Sequence, residues 1–222
     1  MPMMYIISGC NGSGKTTASY SMLPGILDVR EFVNSDEFAK SFSPFSPGVA
    51  SVTASRYMLR KMDYLFSRRA DFCLETTLAT RSLLKVISGA REQGYFVTVT
   101  YLWLSSADLA VQRVAARVAT GGHDIPEATI RRRYAVGLYY FFNDYVQAAD
   151  QWRLIDNSDL DYRTVAEGSR RGMKVADMET YLKIRSIALA PPEVPAGGIA
   201  RPPAASVPAP NAHDGIPAKT DK

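Results

Sequence analysis

The chain has 222 residues, a formal net charge of +4 and a pI near 9.0, with 46% hydrophobic and 22% charged residues. That balance fits one globular domain with a real core. It excludes a membrane-spanning chain, because no stretch approaches the ~18 uninterrupted apolar residues a span needs. A positive excess attracts nucleic acid and polyphosphate alike. Its densest run, Arg131-Arg132-Arg133, falls inside a helical pattern, so nucleic acid is not the expected partner.

In chain order, five apolar runs read as strands: Met3–Ser8, Val29–Asn34, Phe72–Glu75, Tyr95–Leu104 and Trp152–Ile155. Helical patterns lie between them at Lys15–Leu23, Ser51–Arg69, Thr80–Gln93, Ala107–Ala119 and Glu127–Ala148. Strands alternating with helices predict an α/β fold. The expected architecture is a mainly parallel five-stranded sheet with helices on both faces. A small hairpin from Tyr162 to Val175 follows, and Asp177 is placed to cap a closing helix that ends near Ile187. From Ala190 the composition changes: 190–222 holds eight of the thirteen prolines and no aromatic residue. Such a segment buries too little apolar surface to offset its ordering entropy. Residues 1–189 are therefore read as the domain and 190–222 as a disordered tail. The two cysteines, Cys10 and Cys73, have no metal-ligand spacing, and the N-terminus, Met1–Ser8, is too short for a signal h-region. A cytoplasmic location is expected.

The strongest chemical signal is Gly9-x4-Gly14-Lys15-Thr16, which fits G-x-x-x-x-G-K-[ST] at every fixed position. An apolar strand precedes it and a helix follows, so the expected α/β fold is of the P-loop NTPase type. Glycines at 9, 12 and 14 allow a tight loop whose N–H groups point at phosphate oxygens, and the helix start adds its positive dipole end. Lys15 is placed to reach the β- and γ-phosphates of ATP, and the Thr16 hydroxyl to ligate Mg²⁺. Gly9, Asn11, Gly12, Ser13, Gly14, Lys15, Thr16 and Thr17 form the expected nucleotide site.

Three further features separate phosphotransfer from mere nucleotide binding. The second strand runs into Asn34-Ser35-Asp36 at the sheet edge where ligands bind, so Asp36 is a candidate general base; it also suits an N-cap. The third strand ends in Glu75-Thr76-Thr77, where Glu75 is a ligand for substrate hydroxyls or a Mg²⁺-bound water. Then Arg113, Arg117 and a Gly121-Gly122-His123 turn, followed by Arg131-Arg132-Arg133, read as a helical lid bearing charge-neutralising arginines. Arg113 and Arg117 share a helix face at i, i+4 spacing; which of them meets phosphate stays open. The last strand runs into Asp156-Asn157-Ser158, making Asn157 a candidate base contact. Glu75, Thr77, Arg81 and His123 complete the expected substrate set. Tyr140 and Asn143 are weaker substrate candidates on a helix whose aromatic run reads mainly as core.

With those motifs in order, the chain resembles the zeta-toxin family of P-loop kinases. The carrying residues are Gly9-Cys-Asn-Gly-Ser-Gly-Lys-Thr16, Asn34-Ser-Asp36, Glu75-Thr-Thr77, Gly121-Gly-His-Asp-Ile-Pro126 and Asp156-Asn-Ser158. The resemblance implies an ATP- and Mg²⁺-dependent kinase acting on a sugar nucleotide such as UDP-N-acetylglucosamine, with a protein antitoxin as a possible partner. It matches Lys15 and Thr16 to the Walker residues and Asp36 to the base. Glu75 matches the substrate carboxylate, and Arg113 or Arg117 the lid arginine. The chain departs from the pattern in carrying His123 where a second lid arginine is usual, and in lacking a glycine after Glu75. Acceptors of another kind (a nucleoside, antibiotic or cofactor), or an ATP-binding regulatory module, are the alternatives.

Overall fold

The computed structural model describes residues 1–22, 31–34 and 47–189. Asp36 and the whole of 190–222 lie outside the described residues. Strands β1 (Met3–Ser8), β2 (Glu31–Asn34), β3 (Phe72–Thr76), β4 (Phe96–Trp103) and β5 (Gln151–Asp156) pair in parallel, with β1 between β3 and β4. Strands β6 (Arg163–Ser169) and β7 (Gly172–Val175) continue the same sheet antiparallel, in the order β2-β3-β1-β4-β5-β6-β7. The sheet therefore has seven strands among the described residues, the five parallel ones and the appended hairpin. β6 pairs directly along the open edge of β5, satisfying backbone groups that an edge strand leaves exposed.

Helices α1 (Lys15–Met22), α2 (Pro47–Ser67), α3 (Ser82–Glu92), α4 (Ala107–Ala119), α5 (Glu127–Tyr140), α6 (Val146–Ala148) and α7 (Met178–Leu189) connect or flank the strands. Two helix starts follow their sequence signals. The Ser106 side chain accepts from Leu109 N at 3.0 Å, and Asp177 Oδ1 accepts from Thr180 N at 3.0 Å. Those bonds hold the Asp177 carboxyl below its ordinary range. The long helix expected over Glu127–Ala148 is interrupted by a π-helical turn, Phe141–Tyr145. The wider turn seats three large rings against different neighbours: Phe141 on Tyr101 and Trp152, Phe142 on Tyr181, and Tyr145 against the Thr80 carbonyl.

Alternation along the strands divides the interior. Met4, Ile6, Phe72, Leu74, Val97, Val99, Tyr101 and Leu154 form the main core beneath α2, α3 and α5. On the opposite face Ile7, Cys73, Leu102 and Ile155 pack with Ala18 of α1. A third cluster, Cys10, Leu104, Ala110, Val114, Ile125, Ile130 and Tyr134, packs α4 and α5 against the phosphate-loop end of the sheet. No helix among the described residues is long and apolar enough to cross a membrane.

Phe72 is fully buried, with edge-on rings of Phe66 and Tyr95 at 5.4 and 6.0 Å. Phe72→Ala should lower unfolding stability by about 3–5 kcal/mol through lost burial and the cavity left behind. Urea denaturation of the variant against the parent checks this.

Candidate active site

The parallel register brings three chain segments to one edge. Ile7 lies opposite Glu75 and Asn34 opposite Glu75, so the carboxyl ends of β1, β2 and β3 sit level. β1 is also where the strand order reverses, the point at which open α/β sheets bind ligands. The loop after β1 enters α1 through Gly9, Gly12 and Gly14, all at positive φ. Gly14, at φ +85°, shows why: a Cβ there would lie 2.6 Å from Asn157 Nδ2 in a conformation that L side chains rarely adopt. Lys15 is 93% buried by the loop it follows, and its Nζ donates to the Cys10 carbonyl at 2.9 Å. Burial pushes the Cys10 thiol up to about 11, against the pull of the Lys15 charge, so the thiol stays neutral and is a loop filler rather than a nucleophile.

Thr16, Asn34 and Glu75 form one hydrogen-bonded group. Thr16 Oγ1 donates to Glu75 Oε2 at 2.9 Å, and Asn34 Nδ2 donates to the same oxygen at 2.9 Å. A hydroxyl and a carboxylate in contact are hard oxygen donors of the kind Mg²⁺ takes in partnership with phosphate. The residues present fit the metal: the Thr16 hydroxyl and the Glu75 carboxylate would be its protein-side oxygens.

Two cavities meet at this group. The first, about 340 Å³, is lined by Asn11, Gly12, Gly14, Thr16 and Thr17 of the loop, and by Arg113, Arg117, His123 and Leu160. The second, about 240 Å³, has aliphatic and thioether walls from Met58, Met62, Leu74, Leu83 and Val86, and hydroxyls from Thr77, Thr80 and Ser82. Lys15, Asn34 and Glu75 line both.

The structure sorts the sequence candidates. Gly12, Gly14, Lys15, Thr16 and Thr17 line the first cavity with Asn11, while Gly9 and Ser13 support the loop from behind. Arg113 and Arg117 reach that cavity from the same face of α4, with different attachments. Arg113 donates from both terminal nitrogens to the carbonyls of Asn157 and Ser158, and Arg117 donates to the His123 carbonyl at 2.8 Å. The Asn157 side chain is fully buried beneath the loop, where Nδ2 donates to the Ser13 carbonyl at 2.8 Å. Leu160, three residues on and exposed, is the member of that segment that lines the cavity. Thr77 lines the second cavity, but Arg81 lines neither. The Arg81 guanidinium pairs with Asp144 at 3.1 Å and lies over the Tyr140 ring. Asn143 is bonded to the Tyr139 and Ala188 carbonyls, away from both cavities.

One site residue was not singled out from the sequence. Arg133 of α5 lines the second cavity and donates to Asn11 Oδ1 at 3.1 Å, joining the phosphate loop to the lid. Its neighbour Arg131 points outward to Asp108 and Glu127. The signal available was helical phase: Ile130, Tyr134 and Gly137 are buried, which turns 133 inward and 131 outward.

The zeta toxin family profile matches residues 1–151, from β1 to the start of β5. The chain belongs to the zeta toxin family. The match leaves β6, β7 and α7 outside. A relative in Haemophilus influenzae (strain ATCC 51907 / DSM 11121 / KW20 / Rd), described as an uncharacterized protein, is 29% identical over 126 residues, 57% of this chain and 88% of its own. Among solved structures, AvrRxo1-ORF1:-ORF2 with ATP superposes with a TM-score of 0.71 at 18% identity, over 86% of this chain. This zeta toxin family chain spans 65% of that protein, just under two thirds of its length. A structure from the PezAT chromosomal toxin–antitoxin system of the human pathogen Streptococcus pneumoniae superposes with a TM-score of 0.58 at 13% identity, over 85% of this chain and 86% of the other. At these identities the structural likenesses establish the shared fold.

Asn157→Ala removes the donor beneath the loop and leaves the Ser13 carbonyl buried without it. Stability should fall by about 1–3 kcal/mol, and ATP affinity should fall with it. Chemical denaturation and calorimetric ATP titration check the two effects; unchanged ATP affinity would mean that the amide does not brace the loop.

Proposed function

We propose that this zeta toxin family member is an ATP-dependent phosphotransferase that moves the γ-phosphate of ATP to a hydroxyl of a small molecule. The observation that carries the reading is the meeting of two cavities at Lys15, Asn34 and Glu75. One is lined by the phosphate loop and arginines; the other is walled by aliphatic side chains and hydroxyls. A nucleotide-binding regulatory module has no need of the second.

In this reading the loop amides and Lys15 hold the β- and γ-phosphates. Arg117 and Arg133 face the charge that develops on the transferred group, and His123 lines the same space. Arg113 is a positioning residue that ties α4 to the segment after β5. Mg²⁺ would be held by Thr16 and Glu75 and would supply charge neutralisation at the phosphates. Asp36, two residues beyond Asn34 in the sequence, takes the proton from the acceptor hydroxyl. That oxygen forms a bond to the γ-phosphorus as the bond from phosphorus to the β,γ-bridging oxygen breaks, and ADP leaves. Thr77 and Glu75 orient the acceptor. A sugar nucleotide such as UDP-N-acetylglucosamine is the acceptor that the family resemblance favours; a nucleoside, antibiotic or cofactor hydroxyl would use the same chemistry.

A protein antitoxin is the proposed partner, in keeping with a relative of this fold that comes from a toxin–antitoxin system. Growth arrest on expression, relieved by co-expressing a neighbouring gene, is the expected behaviour; undisturbed growth would count against it.

Incubation with ATP, Mg²⁺ and UDP-N-acetylglucosamine, alongside a bacterial small-molecule extract, should give a product heavier by one phosphate in mass spectrometry. Asp36→Ala should slow that transfer about 10²–10⁴-fold with ATP affinity retained, the loss expected for a general base. Lys15→Ala should cost transfer about 10²–10³-fold through lost phosphate-charge stabilisation. ATP consumption without any phosphorylated small molecule, or transfer that survives Asp36→Ala, would refute the assignment.

A further inference from the structure

Between β3 and α3 the chain runs along one wall of the second cavity, to which Thr77, Thr80 and Ser82 all contribute. Within this run Leu78 adopts a φ of +53° with its side chain 99% buried. A leucine in the left-handed region is held there only where its surroundings over-determine the backbone. Leu78 N donates to the Thr76 hydroxyl at 3.1 Å, and the end of α5 with the π-helical turn that follows is attached to the residues around it.

Four contacts make the attachment. The Gly137 backbone lies against the Thr77 carbonyl so closely that any side chain would collide with that oxygen. The Tyr140 ring carries the Arg81 guanidinium at 5.0 Å. Asp144 accepts from Arg81 Nε at 3.1 Å, and Tyr145 Oη donates to the Thr80 carbonyl. The π-helical turn carries Asp144 and Tyr145, consecutive residues that both bond to this run. One turn before Gly137, Arg133 of the same helix reaches Asn11 of the phosphate loop. A single element therefore holds the wall of one cavity and touches the loop of the other.

We propose that Gly137, Tyr140, Asp144 and Tyr145 form a clamp that positions the acceptor wall at Thr77–Arg81, so that the register of the π-helical turn sets acceptor affinity independently of ATP affinity. This rests on reading the second cavity as the acceptor site. The clamp residues touch no reacting group; they act through the wall they hold. The conservative probe is Tyr145→Phe, which keeps the buried ring and removes the hydroxyl that donates to Thr80.

Steady-state kinetics with UDP-N-acetylglucosamine should show KM for this acceptor raised about three- to tenfold, the worth of one hydrogen bond, with kcat and calorimetric ATP affinity unchanged. Gly137→Ala, which presses on the Thr77 carbonyl, should move KM in the same direction. General destabilisation would instead lower kcat and the number of ATP-binding sites. An unchanged KM in Tyr145→Phe, or an equal loss of ATP affinity, overturns the clamp. If the wild-type protein leaves UDP-N-acetylglucosamine unphosphorylated, that acceptor reading fails, and amide hydrogen exchange decides the clamp by itself. Faster exchange across 77–81 in Tyr145→Phe than in wild type upholds it, and equal exchange overturns it.

Discussion

The contact between the Thr16 hydroxyl and the Glu75 carboxylate, 59 residues apart in sequence, holds the two halves of this site in register. It exists because β1 and β3 are parallel neighbours whose ends are level, so that the first turn of α1 and the end of β3 arrive at the same edge. Asn34, brought alongside by β2, bonds to the same carboxylate oxygen. A half-buried carboxylate carries a desolvation cost, and these two donors offset it. The two cavities meet across this group and Lys15.

Around that contact the remaining structure acts as support. Asn157 closes the underside of the loop, and Arg113 ties α4 to the segment that carries Asn157. The loop is thus braced from β5 on one flank and from α5, through Arg133, on the other. The same element continues into the π-helical turn, which holds the wall of the second cavity through Asp144 and Tyr145.

Much of the chemistry was legible from local pattern. The phosphate loop needs consecutive residues with defined backbone freedom and a lysine at its exit, all within Gly9–Thr16, so its function is written in one short stretch. Parallel strands also announce themselves, since apolar runs bounded by helices have few other uses. Glu75 was marked because a carboxylate at the end of a buried strand needs a partner. The identity of that partner, Thr16 and Asn34 together, depended on strand order. Likewise the hairpin was expected as an addition to the sheet, but the strand it pairs with depended on β5 leaving an edge open.

Side-chain direction was the least legible feature. Asn157, Arg81 and Asn143 were all reasonable ligand candidates as residue types, yet each makes a side-chain hydrogen bond within the protein. Arg133 looked like one of three equivalent arginines, and only the packing of Ile130, Tyr134 and Gly137 turned it inward. The amino-acid sequence by itself determined the loop, the strand–helix alternation and the stock of polar groups at the strand ends. These follow from properties of adjacent residues. Tertiary structure alone decided which of those groups face a cavity and which brace it. That choice rests on strand register, helix phase and the close approach of distant backbones, none of which neighbouring residues encode.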